Sequence, residues 1–88
     1  MGNVIHMSVQ QAGVRTYLIH FPRGMFNRKK GQMVSKGRII TGVESVSVGP
    51  SSMAITIGAK AKWPTVRRAL ILVMQGMLGV EVVLSREE

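Results

Sequence analysis

The chain has 88 residues, and twelve lysines and arginines against four acids give it a formal net charge of +8. This length corresponds to one small domain with a modest core, and an apolar fraction of 45% is too high for a disordered basic tail. The absence of cysteine excludes disulfides and thiolate metal sites, and the scarcity of carboxylates argues against an enzyme that uses metal-assisted phosphoryl chemistry.

The first quarter of the chain has the pattern of a β-hairpin. Apolar side chains recur at every second position of residues 3–10 and again of residues 15–21, as in strands with one buried face. Residues 11–13, Gln-Ala-Gly, suit the turn between them, so the two segments are predicted to pair as antiparallel strands. Pro22 lacks a backbone donor and ends the second strand.

Residues 23–37 carry most of the clustered positive charge and three glycines. Most connections are far shorter than this segment, and long ones are functional or disordered. We therefore interpret residues 23–37 as a mobile basic loop, with one short helical turn around residues 25–30.

The second half of the chain predicts two more strands, a helix and a final strand. Strand character resumes over residues 39–48, and Gly-Pro-Ser-Ser at 49–52 predicts a turn before a partner strand that ends at Gly58. Pro64 suits the first position of a helix, and apolar residues follow it at helical spacing up to Met77. With a short strand over residues 80–84, the order is β-β-loop-β-β-α-β. The predicted class is α+β, a small antiparallel or mixed sheet with one C-terminal-half helix packed on one face, over a single domain of residues 1–88.

The charge pattern predicts an anionic partner. Glu44 is the single acid among residues 1–80, so the positive field is hardly offset. Cations on a flexible segment can reach successive phosphates and release counterions, and an aromatic ring there can stack on a base. We predict a non-catalytic module that binds RNA or DNA through phosphates with little base specificity. The candidate residues are Arg23, Phe26, Arg28, Lys29, Lys30, Lys36 and Arg38, with Arg67 and Arg68 of the helix as weaker candidates.

The predicted helix supports an alternative function. Residues 69–74 are apolar on all sides, and Ile71 and Leu72 have no obvious place beneath a single sheet. The alternative is a small self-associating structural or assembly protein of a virus, phage or ribonucleoprotein particle, with Ile71 and Leu72 at the oligomer interface. A well-packed monomeric core explains the same pattern. An anionic membrane or an acidic protein is the lesser class of partner for the basic face.

The histidines do not indicate a metal site or a cofactor. His6 and His20 lie on opposite limbs of the predicted hairpin, but two ligands are too few for a metal, and neither Cys nor Asp is present to complete a set. A small ribonuclease that uses His6 or His20 with a lysine is the least favoured alternative. We expect Glu44 to pair with one of the surrounding cations.

Targeting signals are also missing from the sequence. No apolar run approaches the roughly 18 residues that cross a bilayer, and the N-terminus lacks the basic-then-apolar order of a secretion signal. We expect an intracellular protein, cytoplasmic or associated with a nucleoid or particle, that is neither secreted nor transmembrane.

The order of several segments faintly resembles a KH RNA-binding domain. The segments are residues 18–22, 39–43, 54–58 and 66–70. That family grips nucleic-acid backbone with a Gly-x-x-Gly loop. The corresponding stretch here, Gly31-Gln32-Met33-Val34, lacks the second glycine, so no functional residue is carried over from the family.

Overall fold

The computed structural model describes residues 3–86 and forms a five-stranded mixed sheet with two helices on one face. The elements are β1 (Val4–Gln11), β2 (Thr16–His20), α1 (Lys30–Ile39), β3 (Val43–Val48), β4 (Ser52–Ile57), α2 (Trp63–Leu78) and β5 (Glu81–Arg86). The strands lie side by side in the order β3-β4-β2-β1-β5. Neighbours are antiparallel except β1 and β5, which are parallel. The predicted α+β class, with the long C-terminal-half helix packed on one face, is confirmed.

Both predicted hairpins form, and their alternation separates a buried face from an open one. Val9 is opposite Ile19 in the first hairpin, and Val46 is opposite Ile55 in the second. These side chains belong to one apolar cluster with residues of both helices, among them Met33 and Leu70. The open face holds mostly Ser, Thr, His and apolar side chains, together with Gln10 and Glu81, and its described positions hold neither lysine nor arginine.

Helix α1 is absent from the prediction, and the proposed mobile loop over residues 23–37 is wrong from Lys30 onward. Residues 23–29 form consecutive turns, in which Met25 N–H bonds to the Pro22 carbonyl and Lys29 N–H to the Phe26 carbonyl. The helix then runs from Lys30 to Ile39. The helix packs closely against β3: a Cβ atom added at Gly37 would lie only 3.0 Å from a Val46 methyl group.

The strand predicted from residue 39 begins later than expected. Ile39 ends α1, and the chain turns at Gly42, whose φ of 94° is accessible to glycine at little cost. β3 then begins at Val43. The strand predicted over residues 39–48 is therefore present only from Val43 to Val48.

Helix α2 matches its sequence pattern. Pro64 lies in its first turn, and its buried residues, Val66, Leu70 and Met74, belong to the predicted stripe. Gly79 ends the helix in a left-handed conformation, with its N–H bonded to the Gln75 carbonyl. Neither helix in the described part of the chain is long and apolar enough to cross a membrane.

Candidate nucleic-acid interface

The six cations that are clustered in sequence do not form a single patch. Arg23, Arg28 and Lys29 precede α1, whereas Lys36 and Arg38 lie in its last turn. A ten-residue helix is about 15 Å long. The predicted basic site is therefore spread along α1, with four cations at its beginning and two at its end.

Lys29 has a structural partner. Its Nζ donates a hydrogen bond of 2.9 Å to the carbonyl oxygen of Met77, and the contact is partly buried. Met77 lies in the last turn of α2, where carbonyls lack helical partners and the helix dipole favours positive charge. Lys29 thus links the turns of residues 23–29 to the C-terminal end of α2 through a hydrogen bond. Because this contact is partly buried, the charge of Lys29 is only partly available to a ligand.

Phe26 is a core residue, so its predicted role as a base-stacking platform is wrong. Its side chain is 1% exposed. Its ring meets Phe21 edge-on, with centroids 4.9 Å apart and planes at 81°. The residues around Phe26 in sequence are mostly polar, but the segment folds back so that the ring points inward.

The two arginines of α2 point in different directions. Arg67 donates to the carbonyl oxygen of Leu84 and is held against β5. Arg68 is exposed on the outer side of the helix. Although they are adjacent in sequence, the two side chains do not present their charges together. Of the two, only Arg68 is exposed to solvent.

More than half of the cations lie toward one end of the molecule, the entry end, where β4 leads into α2. Gly58 N–H bonds to the Gly42 carbonyl and Ile57 N–H to the Arg15 carbonyl. These bonds bring together the β4–α2, α1–β3 and β1–β2 connections. Strands β1 and β5 also end on this side. The cations of the entry end are Arg15, Lys36, Arg38, Lys60, Lys62, Arg67, Arg68 and Arg86.

Almost none of this charge is neutralised within residues 3–86. The one ion pair between described residues joins Arg15 to Glu44 at 3.9 Å, which confirms the expectation that Glu44 pairs with a cation. Both side chains are about half exposed, so the pair contributes little to stability. The other described cations have no acidic partner among residues 3–86, although Lys29 and Arg67 are partly buried by their bonds to backbone carbonyls.

A pocket at the entry end combines aromatic rings with two arginines. It has a volume of about 400 Å³ and lies between β1, β2, β5 and the start of α2. Tyr17 and Trp63 stack beside it, with centroids 4.0 Å apart and planes at 8°. Both rings are half-buried. The residues that line it are Val9, Gln11, Tyr17, Trp63, Pro64, Arg67 and Arg86.

Sequence reasoning missed this pocket. Its aromatic and basic residues come from three elements, β2, α2 and β5, and no local pattern connects Tyr17 in β2 with Trp63 in α2. The one available signal is that Trp63 stands within a basic stretch, between Lys62 and Arg67.

A second cavity at the entry end carries lysines but few backbone donors. It measures about 560 Å³, and Lys60 and Lys62 are among its lining residues. Pro64 has no N–H, and the N–H groups of Thr65 and Val66 both bond to the Lys62 carbonyl. An anion here would therefore depend on the lysine side chains and not on the start of α2.

The two residues of α2 predicted for an oligomer interface, Ile71 and Leu72, differ in exposure. Ile71 packs against the core, whereas Leu72 is 64% exposed. Leu72 shares a groove of about 450 Å³ between the two helices with Ile39, which is 80% exposed. Lys36 lies at the same groove.

The histidines lie near each other but are not paired across the strands. His20 is opposite Ser8, two residues beyond His6 in β1, and both histidines line a shallow cavity of about 420 Å³. Within residues 3–86 no three histidine or carboxylate side chains come close enough to hold a metal ion.

Comparison with known proteins adds no assignment. No protein-family model, curated protein or solved structure matches the chain. Residues 31–34, where the KH family would have its Gly-x-x-Gly loop, lie inside α1.

Proposed function

We propose that the protein is a non-catalytic module that binds RNA or DNA through phosphates, with little base specificity. The observation that carries this proposal is the unneutralised charge: the net charge is +8, and among the described residues only Arg15 is in an ion pair. Ordinary soluble surfaces intersperse both signs. Such a partner would place the protein inside the cell, in the cytoplasm or with a nucleoid or particle.

The entry end is the surface that best supports contact with phosphates. Lys60, Lys62 and Arg86 are exposed there, and Lys36 and Arg38 are exposed at the nearby end of α1. Each phosphate that such a cation neutralises releases condensed counterions, so binding should weaken steeply as salt is added. Engagement of about five phosphates gives a log–log salt slope near −4 to −5 on duplex DNA.

The test is fluorescence anisotropy with labelled single-stranded RNA, single-stranded DNA and duplex DNA, each across a salt series. We expect binding to all three at low salt. Failure to bind any of them would overturn the proposal. In that case anionic and neutral lipid vesicles would show whether the charge serves a membrane, and an acidic protein would be the remaining class of partner.

A matched pair of double variants locates the contact surface. Lys60→Gln with Lys62→Gln removes two charges from the entry end, and Arg23→Gln with Arg28→Gln removes two exposed charges from the opposite end. We expect the first pair to reduce the salt slope by about 2 and the second to change it less. Equal losses would contradict the assignment to the entry end and leave a diffuse interaction over the whole surface.

The groove between the helices supports a second candidate function, a self-associating structural or assembly protein. The observation in its favour is that Leu72 and Ile39 are both exposed and line the same groove. A single exposed apolar residue is ordinary, but apolar residues grouped in one groove are typical of a protein–protein contact surface. Association would set copies of the cationic surface side by side and increase avidity for a long polyanion.

A further inference from the structure

We propose that the pocket beside Trp63 and Tyr17 binds an unpaired nucleobase, so that the protein prefers single-stranded nucleic acid to duplex. This inference rests on the proposed function and names the form of nucleic acid that the entry end recognises. It differs from simple phosphate attraction in that it requires contact with a base.

The aromatic pair is held ready for such a contact. The Tyr17 and Trp63 rings are nearly parallel, at 8°, with their centroids 4.0 Å apart. Pro64 follows Trp63 and restricts the backbone conformation of that residue. Because both rings are half-buried, part of the stacked pair is packed and part faces the pocket. Aromatic rings of this kind are the surfaces on which single-strand binders stack bases.

The polar groups of the pocket suit a nucleotide. Arg67 is anchored by its hydrogen bond to the Leu84 carbonyl, which fixes its guanidinium at the pocket wall. Arg86 is exposed and has no partner among the described residues, so it can reach a phosphate next to the bound base. The Gln11 amide donates to the Gly13 and Val14 carbonyls, which leaves its carbonyl oxygen as an acceptor for a base amino group.

The size and position of the pocket favour an unpaired base. A volume of about 400 Å³ is near the lower limit for ligand sites. Bases in a duplex are stacked, and reaching a ring face requires a base to be splayed out at an energetic cost. The open face of the sheet carries the imidazole rings of His6 and His20, but its described positions hold no Phe, Tyr or Trp and no lysine or arginine to pair with a phosphate.

Trp63 is the only tryptophan, so its fluorescence reports on this pocket alone. We would titrate the full chain with a single-stranded oligonucleotide, with an abasic oligonucleotide of the same length and charge, and with a duplex. We expect the single strand to change the Trp63 emission and to bind more tightly than the abasic strand at equal salt. Equal affinity and equal emission change for the two strands would overturn the inference.

Variants separate base contact from charge and from folding. Trp63→Leu should weaken single-strand binding by about 5- to 150-fold, the range for loss of one stacked base, while Trp63→Phe should retain most of the affinity. Arg86→Gln should weaken single-strand binding more than Arg23→Gln, which removes the same charge at the opposite end. Circular dichroism would verify that each variant is folded, and the Arg86 and Arg23 comparison stands even if Trp63→Leu unfolds.

The inference and the proposed function fail in different ways. Salt-dependent binding measured by anisotropy, with no change in Trp63 emission and no loss in Trp63→Leu, would overturn base recognition and leave phosphate binding intact. Absence of binding to every oligonucleotide at low salt would overturn both.

Discussion

The four aromatic side chains form two pairs with different surroundings. Phe21 and Phe26 meet edge-on in the core, whereas Tyr17 and Trp63 stack at the rim of a pocket and remain half exposed. In a chain of 88 residues, a buried phenylalanine pair is a substantial part of the apolar contact that holds the connection after β2 in place. Of the two pairs, only the second leaves a large part of its rings exposed to a ligand.

Phe26→Ala should therefore lower stability and not nucleic-acid affinity. Truncating a fully buried phenylalanine costs about 3 to 5 kcal/mol, which is a large share of the stability of a small domain. Urea denaturation would measure the loss, with Arg28→Ala, at an exposed position nearby, as a control expected to stay within about 0.5 kcal/mol. Unchanged stability with weakened binding would instead restore a stacking role for Phe26.

The inward position of Phe26 could not be predicted from its local sequence. Apart from Met25, its neighbours are glycine, asparagine, arginine and lysine, which resemble a solvated loop. The ring is buried because the segment after β2 returns to the turn between β3 and β4, where Phe21 N–H bonds to the Ser51 carbonyl and Gly24 N–H to the Pro50 carbonyl. These contacts join residues that are far apart in the chain, so no local sequence pattern predicts them.

At the scale of elements, α1 is a helix that depends on tertiary packing. It contains Gly31 and Gly37, it begins at Lys30 with no side-chain cap, and its first turn lacks an acid. Each feature lowers the intrinsic tendency to form a helix. The helix forms because Met33 enters the core and Gly37 allows close approach to Val46. The sequence accordingly predicted a loop here, whereas α2 and both hairpins were predictable from their strong apolar periods.

Two glycine substitutions in α1 should have opposite effects on stability. Gly31→Ala adds a methyl group in open space and should stabilise the protein by about 0.5 to 1 kcal/mol. Gly37→Ala gains the same helix propensity, but its Cβ would lie 3.0 Å from a methyl group of buried Val46. Overpacking costs about 1 to 3 kcal/mol, so the net effect should be destabilising.

Thermal or urea unfolding of the two variants measures this difference directly. Because both substitutions are Gly→Ala within one helix, the change in the unfolded chain is nearly the same for each, and the difference isolates the contact with β3. Equal stabilisation by both would mean that α1 does not need to approach β3 closely.

At the scale of the whole molecule, three regions of the surface differ in character. The entry end is cationic, the open sheet face carries no described cation, and the groove between the helices exposes Ile39 and Leu72. The sequence predicted the overall charge and one of these two apolar residues. It could not predict that α1 places Ile39 at the same groove as Leu72, because this arrangement depends on a helix that the local sequence does not indicate.

Self-association through the groove would reveal itself by the sign of its salt dependence. Two copies of a chain with a net charge of +8 repel each other, and salt screens that repulsion over a Debye length of about 10 Å at 0.1 M. Apolar contact at Ile39 and Leu72 is not weakened in the same way. We therefore expect association to strengthen with added salt, whereas nucleic-acid binding weakens.

Sedimentation velocity over a concentration series at low and high salt measures this behaviour. We expect the wild-type sedimentation coefficient to rise with concentration, more so at high salt, and Leu72→Gln to remain closer to a monomer. Val14→Gln is the matched control, because Val14 is 90% exposed at the turn of the first hairpin and does not line the groove. A monomer at every concentration and salt would exclude the assembly function, and equal effects of the two variants would place any contact outside the groove. An association that instead weakens with salt would point to pairing by charge, either through ion pairs between the acids of one copy and the cations of the other or through a polyanion held between the copies.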